Sequence, residues 1–216
     1  MSTIPFKAVP AEPHLSDLLD LLKKEILLGL NCHHIGKIVS FNSSAQTVVA
    51  SVAYTKTFFQ LNTTTGQYNP VQMSYPTLID CPVIILGGGG TAFTAPIAAG
   101  NECVLLFNDR DLDNWWQSGQ VGPINTARLH SFSDALCLVG VNSSPNKLTV
   151  YDAVRAVITN SAGTLKVGIN PTSQLISIIN GSNTLGTLLQ TLANSVAIPG
   201  VPIATAVATQ LATFME

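Results

Sequence analysis

Apolar and polar residues follow different rhythms along this chain, and each change of rhythm marks a change of structure. Residues 1–13 are Pro-rich and predict an extended arm. From His14 to Leu30, the residues Leu18, Leu19, Leu22, Ile26 and Leu30 recur at three- and four-residue steps. That spacing predicts an amphipathic helix, with Ser16 as its N-cap and Asp17, Asp20, Lys23 and Lys24 on the solvent side. From Asn31 to Val141 the pattern is that of strands. IGKIVSF, TVVASVAYTKTFF, TLIDCPVIIL, ECVLLFND and ALCLVGV read as five strands, with LNTTTGQYNP as a long loop after the second.

Five short strands with Gly, Asn and Pro between them predict a small barrel or sandwich, and the count suits an OB-fold barrel. No helical period sits between the strands, which argues against a parallel α/β sheet. From Asn146 to Asn180 the segments KLTVYDAVRAVIT, TLKVGIN and LISIING alternate with clear period two around turn sequences. Three such strands bury too little apolar surface to fold alone. Stacked between three chains, they form an intertwined β-prism with its apolar side on the axis. Residues 182–195 predict a helix capped by Ser182 or Asn183, with Leu185, Leu188, Leu189, Leu192 and Val196 as its stripe. A second helix is predicted from Pro202, with Ile203, Val207, Leu211 and Phe214. The expected organisation is therefore an arm and helix over 1–30, a barrel over 31–141, a trimeric β-helix over 142–181 and a helical segment over 182–216.

Composition sharpens this picture. Of 216 residues, only 10% are charged against 46% hydrophobic, where an ordinary soluble domain has about 25% charged. So neutral a surface is best explained by burial against copies of itself. The leucines Leu185, Leu188, Leu189 and Leu192 are then expected to meet their counterparts around a threefold axis. The net charge of −2 and the ten Lys and Arg give no footprint for nucleic acid. The N-terminus lacks a basic stretch followed by an apolar one, so synthesis in a cytoplasm is expected. Between Val167 and Met215 no residue is charged. Pro199, Gly200 and Pro202 interrupt that stretch, which argues against a membrane-spanning helix. Cys32, Cys81, Cys103 and Cys137 are widely spaced and predict reduced, mostly buried thiols.

Candidate chemistry is sparse. Cys32, His33 and His34 form the most metal-like cluster, with Cys81, Cys103 and His130 as further donors. Neighbours on a strand point to opposite faces, so at most two of the three share an ion. Asp109, Asp111 and Asp113 open like a calcium loop, but Asn114 and Gln120 stand where Gly and Glu are needed, and Arg110 sits among the carboxylates. Gly87–Gly90 lacks the Lys-Ser/Thr of a phosphate loop and predicts a wide turn. Ser118, Ser131 and Ser133 lie near His130 and Asp134 without a nucleophile elbow. Trp115 and Trp116 are able to stack on a sugar or base. The expectation is a protein with no catalytic residue, no metal and no cofactor.

Four segments, LNCHHIGKIVSFN, YPTLIDCPVIILGGGG, PIAAGNECVLLFNDRDLDNWWQSG and RLHSFSDALCLVGV, occur in this order. Together, over about Leu30 to Val141, they resemble the N-terminal domain of the membrane-puncturing central spike proteins of contractile-tailed phages. The resemblance implies an OB-fold that trimerises and attaches the spike to the tail hub, followed by a triple-stranded β-helix aimed at the host outer membrane. It implies a virion location in the tail baseplate, contact with other baseplate proteins, and no hydrolytic activity. Asp109, Arg110, Asp111, Trp115, Trp116, Arg128, His130 and Asp134 would then be structural, tying loops of the barrel together or to neighbouring chains. Members with an iron-binding His-x-His tip differ from this chain, whose last histidine is His130. A blunt spike, or a separate tip protein, is implied. The competing reading is an OB-fold binding module that holds a glycan or single-stranded nucleic acid on Trp115 and Trp116.

Overall fold

The computed structural model describes residues 14–195. The N-terminal arm, Val196 and the helix predicted from Pro202 lie outside the described residues. The chain is mainly β with a few helices, and it divides into two compact units between Val141 and Asn142.

The first unit opens with α1 (Leu15–Gly29). The Asp17 carboxylate accepts the His14 N–H at 3.2 Å. His14, two residues before Ser16, is therefore the N-cap, because Asp17 three residues on satisfies its N–H as a capping box. No α1 residue is buried, and the leucine stripe stays exposed. Nine strands follow: β1 (His33–Asn42), β2 (Thr47–Val52), β3 (Thr55–Leu61), β4 (Tyr68–Ser74), β5 (Leu78–Pro82), β6 (Leu86–Gly88), β7 (Thr91–Phe93), β8 (Glu102–Phe107) and β9 (Ala135–Val139). Between the last two lies the short helix α2 (Asp113–Ser118).

Five of these strands make one antiparallel sheet in the order β5-β2-β1-β8-β9. Its register shifts between Ile38 and Ser40 and again between Val48 and Ala50. Such bulges increase twist, and the sheet curls into a half-barrel. The two edges meet just past β5, where Val83 forms a parallel bridge to Cys137 and the Ile84 N–H donates to the Cys137 carbonyl at 2.8 Å. The concave side holds Ile38, Val48, Ala50, Leu78, Cys81, Cys103, Leu105, Phe107, Ala135 and Cys137, all buried. Gly36 admits no larger residue without a shift, since a Cβ there would stand 2.8 Å from Leu105 Cδ1 and 3.0 Å from the Ser51 carbonyl oxygen.

Two features of this unit differ from the sequence pattern. TVVASVAYTKTFF is not one strand, for the chain leaves the barrel after Val52 and restarts at Thr55. LNTTTGQYNP is not a loop but the bend of a β3–β4 hairpin. Asn62 Oδ1 accepts the Thr64 and Thr65 N–H groups at 2.9 and 3.2 Å, and Gly66 takes a φ of +68°. The polar residues and Pro70 in β4 hid the strand. Gly87–Gly90 is not a wide turn: Gly87 and Gly88 pair within β6, and Gly89 and Gly90 alone, at φ +60° and +82°, close the β6–β7 hairpin.

The second unit is a meander of β10 (Ala156–Thr159), β11 (Leu165–Asn170), β12 (Leu175–Asn180) and β13 (Asn183–Thr184), followed by α3 (Leu185–Ser195). KLTVYDAVR, expected to extend the first strand, is instead a turn. Asp152 Oδ1 accepts the Val154 and Arg155 N–H groups at 3.2 and 2.9 Å, which folds the chain before Ala156. The helix starts later than expected because Asn183 and Thr184 pair with Asn180 and Ile179. Thr184 Oγ1 then accepts the Thr187 N–H at 3.0 Å and caps α3 in place of Ser182 or Asn183. Among the described residues, no helix is long and apolar enough to cross a membrane.

The meander has two unequal faces. Gly168, Asn170 and Ser177 are buried on one side. There Arg155 bonds Ser177 Oγ at 3.1 Å, and Asp152 pairs with Arg155 and Lys166, each at 3.2 Å. On the other side Ile158, Val167, Ile169, Ile176 and Ile178 are 65, 49, 57, 44 and 40% exposed. Registers Ile158↔Val167↔Ile178 and Ala156↔Ile169↔Ile176 set these side chains in adjacent rows.

Candidate functional site

The described chemistry gathers on the barrel segments between β8 and β9. At the end of β8, the Asn108 N–H and Nδ2 both donate to the Asp134 carbonyl, at 3.0 and 2.9 Å. Asp134 closes the 3-10 turn Phe132–Asp134, which Ser131 caps by accepting the Ser133 N–H at 3.2 Å. These bonds hold Asp134 at the start of β9 with its side chain 1% exposed.

A buried carboxylate needs a cation, and Arg128 supplies it. Its Nε donates to Asp134 Oδ2 at 3.0 Å and its Nη2 to Asp134 Oδ1 at 2.9 Å, a bidentate pair. The same Nη2 reaches Asp113 Oδ2 at 2.8 Å and Asp111 Oδ1 at 3.2 Å. The Leu112 N–H also donates to Asp134 Oδ1, at 3.3 Å. One guanidinium thus ties together the segment before α2, the first turn of α2 and the turn before β9. Hydrogen bonds to Asp134, then Asp113, push the Arg128 pKa up. The Asp113 N–H, above all, holds Asp111 below the usual carboxylate range.

Asp111, Asp113 and Asp134 are also, among the described residues, the one set of three or more potential metal ligands whose donor atoms lie within 4.8 Å of one another. The guanidinium already contacts all three, and both oxygens of Asp134 accept N–H groups. The cluster carries its own cation, and Arg128 plays the neutralising part that sequence reasoning gave to Arg110. Arg110 is exposed and lies outside this network.

The other predicted positions are placed as follows. His130 Nε2 stands 3.6 Å from the exposed Asp109, and His130 exchanges two bonds with Asn31, Nδ1 to the Asn31 carbonyl at 3.1 Å and Asn31 Nδ2 to the His130 carbonyl at 3.0 Å. That exchange fastens the start of the barrel to the segment before β9. Trp115 and Trp116 on α2 lie 6.3 Å apart and are 55 and 42% exposed. Trp116 lines a cleft of about 710 Å³ with Asp80, Asp113 and Phe132, and no lysine or arginine lines it. In the second unit, Leu185 and Leu189 of α3 are half-buried, while Leu188 and Leu192 are exposed.

Sequence reasoning missed Asp113 as a member of the clasp, although its place in Asp109-x-Asp111-x-Asp113 was a signal. It also missed the setting of His34. Cys32 and His33 are exposed, whereas His34 turns among Tyr54, Tyr75, Phe107 and Phe132, with ring centroids 5.1, 5.2, 5.1 and 5.8 Å away. The Tyr54 hydroxyl bonds His34 Nδ1, and Nε2 is buried without a hydrogen-bond partner. Burial lowers the His34 pKa. Cys81, Cys103 and Cys137 are buried free thiols, and burial pushes Cys81 up to about 11. A thiol so hard to ionise is a poor nucleophile.

Residues 35–140 match the family model described as the phage protein Gp138 N-terminal domain. The match runs from within β1 to the end of β9, with the Arg128 clasp inside it, and it supports a phage structural protein and a component of the virion. No curated protein matches the chain.

Proposed function

We propose that this chain is the central spike of a contractile phage-tail baseplate, a homotrimer with no active site and no cofactor. The β5-β2-β1-β8-β9 order, closed by the parallel Val83–Cys137 bridge, supports an OB-fold. That domain attaches to the tail hub and neighbouring baseplate proteins. The second unit continues as a threefold β-helix directed at the host outer membrane, and a separate tip protein completes the point.

The observation that carries the reading is the inverted sheet of the second unit. Its buried face holds Asn170, Ser177 and the Asp152–Arg155–Lys166 ion pairs, while Ile158, Ile169, Ile176 and Ile178 face outward. Exposed apolar rows of this size mark an interface. Three copies packing these rows around an axis remove them from water, and the nearly charge-free sequence after Lys166 suits such an axis. The clasp around Arg128 is then a structural tie that stiffens the hub-facing domain. Native mass spectrometry of the full chain tests this, with three copies of the 22.8 kDa chain expected. A stable monomer at micromolar concentration would overturn it. Antibody labelling of virions tests the baseplate location, and signal anywhere but the tail end would exclude it.

The exposed indoles of Trp115 and Trp116 favour one second reading, a glycan-binding module. The cleft sets Trp116 and Phe132 beside Asp80 and Asp113 and has no cation in its lining, which suits a sugar better than a phosphate backbone. Glycan-array binding that is lost in Trp116→Ala, in a monomeric protein, would favour it over the spike.

A further inference from the structure

Two hairpins of the first unit do not fit a protein that works as a single chain. The β3–β4 hairpin pairs over seven residues, from Thr55↔Ser74 to Leu61↔Tyr68, and neither strand joins a third. A lone two-stranded hairpin is marginal in water. Polar contacts occupy its base, where Gln72 bridges Thr55 and Thr57 at 2.6 and 2.8 Å. Its far end carries Phe59, Leu61 and Tyr68, which are 46, 46 and 67% exposed. The β6–β7 hairpin presents the pair Leu86↔Phe93, 66 and 71% exposed. No strand or helix of the described chain packs broadly on either hairpin. Between Thr57 and Asn101 the only charged residue is Asp80.

We propose that the β3–β4 hairpin is an intersubunit arm whose apolar end seats on the β6–β7 hairpin of a second copy. This rests on the homotrimer proposed above. Two different apolar patches on one chain make a heterologous contact, and a heterologous contact repeated about a threefold axis closes into a ring in which every arm and every seat is filled. Both surfaces are neutral, so the fit is hydrophobic and carries no charge pairing. Aromatic side chains offer ~150–250 Å² each. At their observed exposures, Phe59 and Tyr68 of the arm and Phe93 of the seat put roughly 300–450 Å² into play over both sides, a part of the ~1,600 Å² that a standard interface buries in total.

The test uses the full chain with the exposed thiol removed by Cys32→Ser, and with Tyr68→Cys and Phe93→Cys added. Mild oxidation is followed by non-reducing electrophoresis and native mass measurement. Covalent dimers and trimers are expected from a protein that is trimeric before oxidation. A trimer that yields only monomer bands, whether the thiols stay free or close within one chain, overturns the arm and leaves the trimer standing. A monomer overturns both. Hydrogen exchange on the unsubstituted trimer gives a second readout. Amides of β3 and β4 should exchange at least tenfold more slowly than in a free hairpin, and exchange at the free rate would overturn the arm.

Discussion

The two units solve the problem of apolar surface in opposite ways. The barrel turns Val48, Leu105, Cys103 and Cys137 to the concave side of one curled sheet, each no more than 1% exposed. The meander turns Asn170 and Ser177 inward and leaves Ile158, Ile169 and Ile176 in water. Both are built from strands of period two, so local propensity does not separate them. What separates them is closure. The barrel has five strands with two bulges, enough to bring its edges together, and one chain suffices. The meander has three full strands and a two-residue one, too narrow to curl around its own apolar face. In the proposed trimer it completes its core with copies.

The contrast is broken most directly at Ile169. Replacing it by Asp places a charge in the exposed apolar rows. In the proposed trimer that charge is buried without a partner, and Ile169→Asp should convert trimer to monomer in sedimentation while barrel near-UV circular dichroism is unchanged. A trimer of normal mass would show that the rows are not an interface.

In the barrel the largest effect is expected at Leu105, which is fully buried. Leu105→Ala should cost about 2–5 kcal/mol, as large-to-small core changes do, read as a shift in denaturant midpoint. The loss should persist in a monomeric background such as Ile169→Asp, because the barrel core belongs to one chain.

The clasp comes next. Asp134→Ala leaves Arg128 with Asp111 and Asp113. Breaking a fully buried pair costs about 3–5 kcal/mol. The Arg128 side chain is 30% exposed, so about 2 kcal/mol is expected here. Asp134→Asn should recover part of it by keeping an acceptor for the Leu112 N–H.

The smallest effect is a pH dependence. Burial lowers the folded pKa of His34 below its ordinary value, so the unfolded chain binds its proton first. That contribution to stability is complete above the ordinary histidine pKa, about 6.5, and is lost as pH falls through the depressed folded value. The melting temperature should fall between pH 7 and pH 5, and His34→Phe should remove that fall. Asp111, also held low, contributes stability that is lost only at more acidic pH.

The sequence alone determined the helix near residues 15–29, the five barrel strands and the neutral surface, because these are properties of local spacing and composition. It also singled out Asp111, Arg128 and Asp134, yet it could not pair them. Arg128 meets Asp111 across seventeen positions of chain, and only the closure of β8 on β9 brings them into contact. The β3–β4 hairpin escaped notice because polar residues and Pro70 weaken the alternation that marks a strand. The orientation of the meander was beyond local pattern altogether. Period two says that two faces differ, and it does not say which one the chain covers. Only the tertiary structure decided that Ser177 and Asn170 lie inside and Ile158, Ile169, Ile176 and Ile178 outside, because the choice depends on the Asp152 turn, which sets Arg155 against Ser177 and brings Asp152 onto Lys166 of β11 over the polar face.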